Sequence, residues 1–162
     1  MTSSTYAIAI GSNRWHHLHG RPERVVTAAI DALAALGRVQ AHSPVLRTAA
    51  LGPAGRSFAN AALLLESELD PPALLGALKR LERSFGRRGG RRWGPRVLDL
   101  DIILWSGGAW SGLGLTVPHP EFRKRAFVLR PLLRIAAGWC DPLTGRSIAQ
   151  LAHAVDRRRA LA

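Results

Sequence analysis

Two aspartates at alternate positions of an apolar run, Asp99 and Asp101 in VLDLDIILW (97–105), have types and spacing suited to chemistry. The run is rich in Leu and Ile and reads as a β-strand, whose successive side chains point to opposite faces. Both carboxylates then project to one side, with Cα atoms about 7 Å apart. Leu98, Leu100, Ile102 and Leu104 take the other side and pack in the core. Carboxylates on such a strand are costly to bury without a cation. Arginines could supply it as structural ion pairs. Mg²⁺ could supply it instead, because it prefers oxygen donors and typically takes one or two carboxylates together with substrate phosphates.

The preceding segment points toward phosphate. Arg87, Arg88, Arg91, Arg92 and Arg96 fall within ten residues. Guanidinium groups bind phosphate through a planar, bidentate fork. A triphosphate held by Mg²⁺ needs both halves: acids for the metal and arginines for the remaining oxygens. A solvated basic loop is the plainer alternative. A nucleic-acid patch is another, with Trp93 stacking on a base. Gly86, Gly89, Gly90 and Gly94 permit large backbone swings, which predicts a mobile lid over the triphosphate. Neither GxxxxGK[ST] nor GxGxxG occurs, and Gly11-Ser12-Asn13 matches neither pattern. The phosphate site must therefore use side chains and metal.

These residues need elements to position them. Residues 5–10 (TYAIAI) read as a buried strand ended by Gly11-Ser12-Asn13. Residues 22–36 carry Val26, Ile30 and Leu33 at helical spacing, with Pro22 at the first turn and Gly37 as a stop. Residues 38–49 read as extended, bent or broken at Ser43-Pro44, and 51–57 as a loop. Residues 58–68 read as a strand. Pro71-Pro72 opens a helix to about residue 85, with Leu74, Leu78, Leu81 and Phe85 on one face. The strand 97–105, a Gly-rich hairpin at 106–116, and helices around 123–136 and 147–156 complete the chain. The order strand, helix, strand, strand, helix, strand is that of an α+β fold with a ferredoxin-like βαββαβ core. It predicts an antiparallel sheet with helices on one face. Such a fold hosts many functions and argues for none.

RWGPRVLDLDIIL (92–104) resembles the signature of the 6-hydroxymethyl-7,8-dihydropterin pyrophosphokinases, and four other segments resemble that family in order. AIAIGSN is similar to its opening strand and turn. LGPAGRSFANAALLLES is similar to its substrate segment, and LERSFGR to the helix entering the arginine loop. LTVPHPEFRKRAFVLRPL is similar to its His-containing loop and the helix that follows. The resemblance implies transfer of pyrophosphate from Mg-ATP to hydroxymethyl-dihydropterin, giving the pterin diphosphate and AMP, in folate biosynthesis. It implies two Mg²⁺ ions on Asp99 and Asp101, and triphosphate oxygens held by Arg87 and Arg96. Arg92 and Trp93 would close over the ligands. His119 and Arg125 would contact ATP phosphates, and Glu82, Thr116 and the backbone of Ile102 the nucleoside. Asn60 would read the pterin amide edge, with backbone help from Thr48 and Leu51, and Phe58 and Phe127 would sandwich the ring. The chemistry suits a flat ligand with aromatic faces and a polar edge. Without the resemblance, Phe58 and Phe127 would read as ordinary core residues, Asn60 as a turn or cap, and His119 as a structural histidine.

Composition bounds the rest. The chain has 162 residues, and hydrophobic residues make up 47%, enough for one domain spanning 1–162 with a substantial core. The single cysteine, Cys140, excludes an internal disulfide framework and suits a reducing, cytoplasmic setting. The N-terminal MTSSTYAIAIGSN has no basic n-region and reads as a first strand rather than a signal peptide. No window approaches the length of a membrane span. The expected partners are therefore ATP and the pterin, with no membrane, no nucleic acid and a monomeric chain. Lys and Arg number 23 against 11 Asp and Glu, a formal charge of +12 that should attract polyanions. That charge keeps an RNA-binding ferredoxin-like module as the rival reading. Against it, aromatics are only 6% and no RNP-like string lies on a strand. A third reading is a family relative with altered pterin specificity, prompted by the divergent stretch at 49–56.

Overall fold

The structure is a computed structural model that describes residues 2–14, 16, 18–48, 58–86 and 97–161. Its elements are β1 (Ser4–Ser12), α1 (Pro22–Leu33), β2 (Arg38–His42), β3 (Leu46–Thr48), β4 (Phe58–Ser67), α2 (Pro71–Gly86), β5 (Asp99–Trp105), β6 (Trp110–Gly112) and β7 (Leu115–Val117). A 3-10 turn (Phe122–Lys124), α3 (Ala126–Ala136) and α4 (Ile148–Leu161) follow.

The central sheet runs β2-β4-β1-β5, with β3 also paired to β4, and these pairings are antiparallel. This is the order expected of a ferredoxin-like core. β2 and β3 lie end to end along β4, and the break between them has a local cause. Pro44 has no N–H for the ladder. Ser43 restores the pairing at the break. Its N–H donates to Ala62 O at 2.8 Å, and its Oγ accepts from the Ala62 N–H at 2.9 Å. Asp70 caps α2, accepting the Ala73 N–H at 2.9 Å, just ahead of the prolines that open the helix.

The alternation in TYAIAIG sets the two layers. Tyr6, Ile8 and Ile10 project into a core with Val25, Leu33, Leu74 and Leu78 of α1 and α2. Ala7 projects the other way, into a second buried cluster with Val128, Leu129, Leu132, Leu151 and Val155 of α3 and α4. Helices therefore cover both faces, not one as the element order suggested. α3 is amphipathic and α4 adds Ile148, Leu151 and Val155, so the C-terminal segment needs an apolar surface to bury against.

β5 departs from simple alternation. Leu98, Leu100 and Ile102 join the first core, but Leu104 joins the second together with Ile103. A register shift opposite Ala7 and Ile8 accounts for this: Ile8 faces Ile102 while Ala7 faces Leu104. One extra residue on one strand reverses the facing of everything beyond it. Asp99 and Asp101 lie before the bulge and keep the predicted common face. Among the described residues, no helix is long and apolar enough to cross a membrane.

Candidate functional site

Register decides which side chains meet. Gly11 of β1 stands opposite both Asn60 of β4 and Asp99 of β5, and Ala9 stands opposite Ala62 and Asp101. Directly opposed residues project to the same side of an antiparallel pair. Asn60, Asp99 and Asp101 thus share the face that α3 and α4 cover further along. Strand alternation adds Phe58, and β3 sets Thr48 opposite Phe58. Small residues floor this region, Ala9 and Gly11 between the flanking strands. Glycine at 11 leaves room for the Asn60 amide, because a Cβ there would lie 3.1 Å from Asn60 Oδ1 and press it aside. Asn60 is nearly buried, Asp101 half-buried and Asp99 exposed.

The chain returns to this face after β7. The His119 N–H donates to Ile103 O at 3.0 Å, which pins the loop to β5. Its Nδ1 accepts the Glu121 N–H at 3.1 Å, so the neutral ring carries its proton on Nε2. Burial pushes the imidazole pKa below its ordinary value. Asp101 opposes that shift, Arg125 reinforces it, and Glu121 opposes it. The charges of Asp101 and Arg125 both reach this ring. Arg125 occupies the N-cap position of α3, where the helix dipole adds to its attraction for anions. Its guanidinium carbon lies 5.7 Å from the centroid of the Phe127 ring.

Phe58 is 46% exposed and Phe127 48% exposed, which overturns a core role for either ring. Exposed aromatics beside a polar amide offer stacking surface to a flat ligand.

The structure thus gathers Asp99, Asp101, Asn60, Phe58 and Thr48 on one sheet face, with His119, Arg125 and Phe127 around the start of α3. Glu82 approaches from the other layer, on α2. One of its carboxylate oxygens accepts the Leu100 N–H at 2.9 Å on the open edge of β5. The strand period turns the backbone of Ile102 toward that same edge. Thr116 is exposed on β7, opposite Ser111. Arg87, Arg92, Trp93, Arg96 and Leu51 lie outside the described residues, as does the lid expected of the arginine segment. Among the described residues, no three His, Cys, Asp or Glu side chains gather into a metal cage. A cation on Asp99 and Asp101 would thus take further ligands from substrate or water.

Sequence reasoning missed two features. Gly11 read only as the end of a strand, although it lies beneath Asn60 and gives that amide its room. The pairing of Arg123 with the buried Asp141 carried no sequence signal, since the partners are 18 residues apart.

The model of the 7,8-dihydro-6-hydroxymethylpterin-pyrophosphokinase family matches residues 7–137. A 2-amino-4-hydroxy-6-hydroxymethyldihydropteridine pyrophosphokinase of Synechocystis is 42% identical over 77% of this chain, which spans 64% of that protein's length. The protein of the same name from Pseudomonas aeruginosa is 39% identical over 89% of this chain and 87% of its own. Among solved structures, a Plasmodium falciparum HPPK-DHPS with pteroate superposes with a TM-score of 0.73 at 11% identity. That match covers 99% of this chain and 44% of the other, and it speaks for the fold. With the family match spanning most of the described sheet, and relatives near 40% identity, the chain belongs to the 7,8-dihydro-6-hydroxymethylpterin-pyrophosphokinase family of pyrophosphoryl-transferring enzymes.

Proposed function

We propose that this protein transfers pyrophosphate from Mg-ATP to 6-hydroxymethyl-7,8-dihydropterin, releasing AMP, as a cytoplasmic, single-domain and monomeric enzyme of folate biosynthesis. The observation that carries the reading is the shared face of Asn60, Asp99 and Asp101, with exposed Phe58 beside them and His119 and Arg125 at its border. It offers stacking and an amide partner for a pterin next to acids and cations suited to a metal-bound triphosphate.

Asp99 and Asp101 fit Mg²⁺ as hard oxygen donors spaced two residues apart on a strand. When bound there, up to two such ions would offset phosphate charge and draw attacking and leaving oxygens together. Asn60 would hold the pterin edge through its donor and acceptor, and Phe58 and Phe127 its faces. His119 would donate from Nε2 to a phosphate oxygen, and Arg125 would offset charge on the transferred group. Thr48 and Leu51 would add backbone contacts to the pterin. Glu82, Thr116 and the Ile102 backbone would contact the nucleoside. Arg87, Arg92, Trp93 and Arg96 would complete the phosphate shell. The pterin hydroxymethyl oxygen then attacks the β-phosphorus in line, its proton passes to solvent, and the bond to AMP breaks. Positioning and charge neutralisation supply most of the catalysis in such transfers.

A coupled assay for AMP release, with and without hydroxymethyl-dihydropterin, tests the reading. Release that depends on the pterin supports it, and pterin-independent release or none refutes it. The RNA-binding alternative is not favoured, because the chain's relatives are named as pyrophosphokinases.

A further inference from the structure

Outside the residues assigned so far, Asp141 is a buried carboxylate paired with the partly buried Arg123. Arg123 Nε and Nη2 donate to Asp141 Oδ2 and Oδ1 at 2.5 and 2.9 Å, a bidentate fork. Asp141 is fully buried, and it also accepts the Leu143 N–H at 3.0 Å and the Thr144 hydroxyl at 2.7 Å. It sits in a closed turn between α3 and α4, where its N–H donates to Arg146 O and its carbonyl accepts from the Gly145 N–H, each at 2.8 Å.

Arg123 lies between His119 and Arg125 in sequence, and backbone bonds through its neighbour Phe122 link those two residues to the same turn. The Phe122 N–H donates to His119 O at 3.3 Å, and the Arg125 N–H donates to Phe122 O at 3.2 Å. Phe122 is fully buried, with the Arg123 guanidinium 4.8 Å over its ring. Arg158 of α4 donates to Arg123 O at 3.4 Å. The 3-10 turn is thus held by its side chains and its backbone to the α3–α4 connection and to α4, outside the candidate site.

A connection between two helices needs no buried charge, and a buried ion pair is poor evidence for stability alone. What a bidentate fork adds is a fixed distance and angle. We propose that Arg123–Asp141 is a positioning pair that holds His119 and Arg125 in register with the ATP phosphates, and so sets ATP affinity without touching ATP. This rests on the phosphate role given to His119 and Arg125 above.

Steady-state KM values for Mg-ATP and for the pterin, measured beside thermal melts, test it. Asp141→Asn keeps the shape and removes the charge. It should raise the ATP KM about tenfold, since a misplacement near 1 Å can cost up to about a hundredfold. The pterin KM should rise clearly less than the ATP KM, because Asn60 and Phe58 lie on β4 and only Phe127 follows the turn. Arg123→Lys keeps the charge without the fork and should fall between, and it carries the same test if Asp141→Asn does not fold. In a background carrying both His119→Ala and Arg125→Ala, Asp141→Asn should add less than about twofold to the ATP KM, because the pair acts through those two side chains. Equal rises in both KM values, or a full Asp141→Asn effect persisting in that background, would overturn the proposal. If His119→Ala and Arg125→Ala leave the ATP KM unchanged, the phosphate reading fails and the proposal falls with it. If they raise it and Asp141→Asn does not, only the positioning role is lost.

Discussion

Gly11→Ala places a single methyl at the centre of the candidate pterin site. The new Cβ would lie 3.1 Å from Asn60 Oδ1 and, among the described residues, within 4 Å of nothing else outside its chain neighbours, so the carboxylate of Asp99 is left clear. Carbon–oxygen contacts of ordinary length are a few tenths of an ångström longer, and the Asn60 amide must yield by that much. Ala59 and Ala61 on either side are buried, so β4 cannot slide and the amide must swing instead. Misaligning one amide hydrogen bond costs on the order of 1 kcal/mol. That corresponds to a loss of about fivefold in pterin affinity. Calorimetry with the pterin, and separately with a non-hydrolysable Mg-ATP analogue, reads both sites. The expected result is weaker pterin binding with ATP binding unchanged. Unchanged pterin affinity would show that Asn60 does not hold the amide edge. Equal losses for both ligands would show that the methyl disturbs the sheet rather than the site.

Asp99→Ala and Asp101→Ala should each abolish AMP release at saturating Mg²⁺ with melting temperatures near that of the parent. Near-normal release from either would remove it from the metal site. Phe58→Ala and Phe127→Ala should each cost well under the roughly 3–5 kcal/mol of a buried Phe truncation, yet weaken pterin binding about tenfold through lost stacking; urea melts and calorimetry would separate the two effects. Burial favours a raised pKa for Asp141, but hydrogen bonds from Arg123, Thr144 and the Leu143 N–H outweigh it and hold the carboxyl at about 2. The unfolded chain takes up that proton at higher pH than the folded one. This stability, on the order of 2 kcal/mol, is therefore present above about pH 4 and is lost as pH falls toward 2. Asp141→Asn should flatten acid unfolding over that window, and an unchanged slope would contradict the depressed value.

Local pattern exposed what is local. The apolar periods of β1, β4, α1 and α2 were legible because burial imposes them residue by residue. Asp99 and Asp101 stood out because charge conflicts with an apolar run, and a strand before its bulge keeps simple parity. The bulge left no mark, since Ile103 and Leu104 are apolar on either reading. Asn60 became a plausible reader of the pterin edge only through family resemblance, and register then placed it over Gly11. That pairing depends on strands some 50 residues apart. Helices on the second face escaped the element order because order does not say which surface is left uncovered. Arg123 and Asp141 meet only once α3 has turned the chain back on itself.

The row Ala7, Ala9, Gly11 along β1 runs from a helix-covered end to the candidate site. Ala7 is fully buried under the C-terminal helices, Ala9 is half-buried, and Gly11 lies beneath the Asn60 amide. Enlarging these three residues should therefore have effects that change in kind along one strand. At Ala7 an added carbon wedges apart two packed layers, so fewer molecules survive in the cell and low temperature or a chaperone rescues them. At Gly11 the molecules survive but bind poorly, and supplying more substrate rescues them instead. A saturation screen scored under both conditions would show a crossover within five residues, marking where scaffold gives way to site.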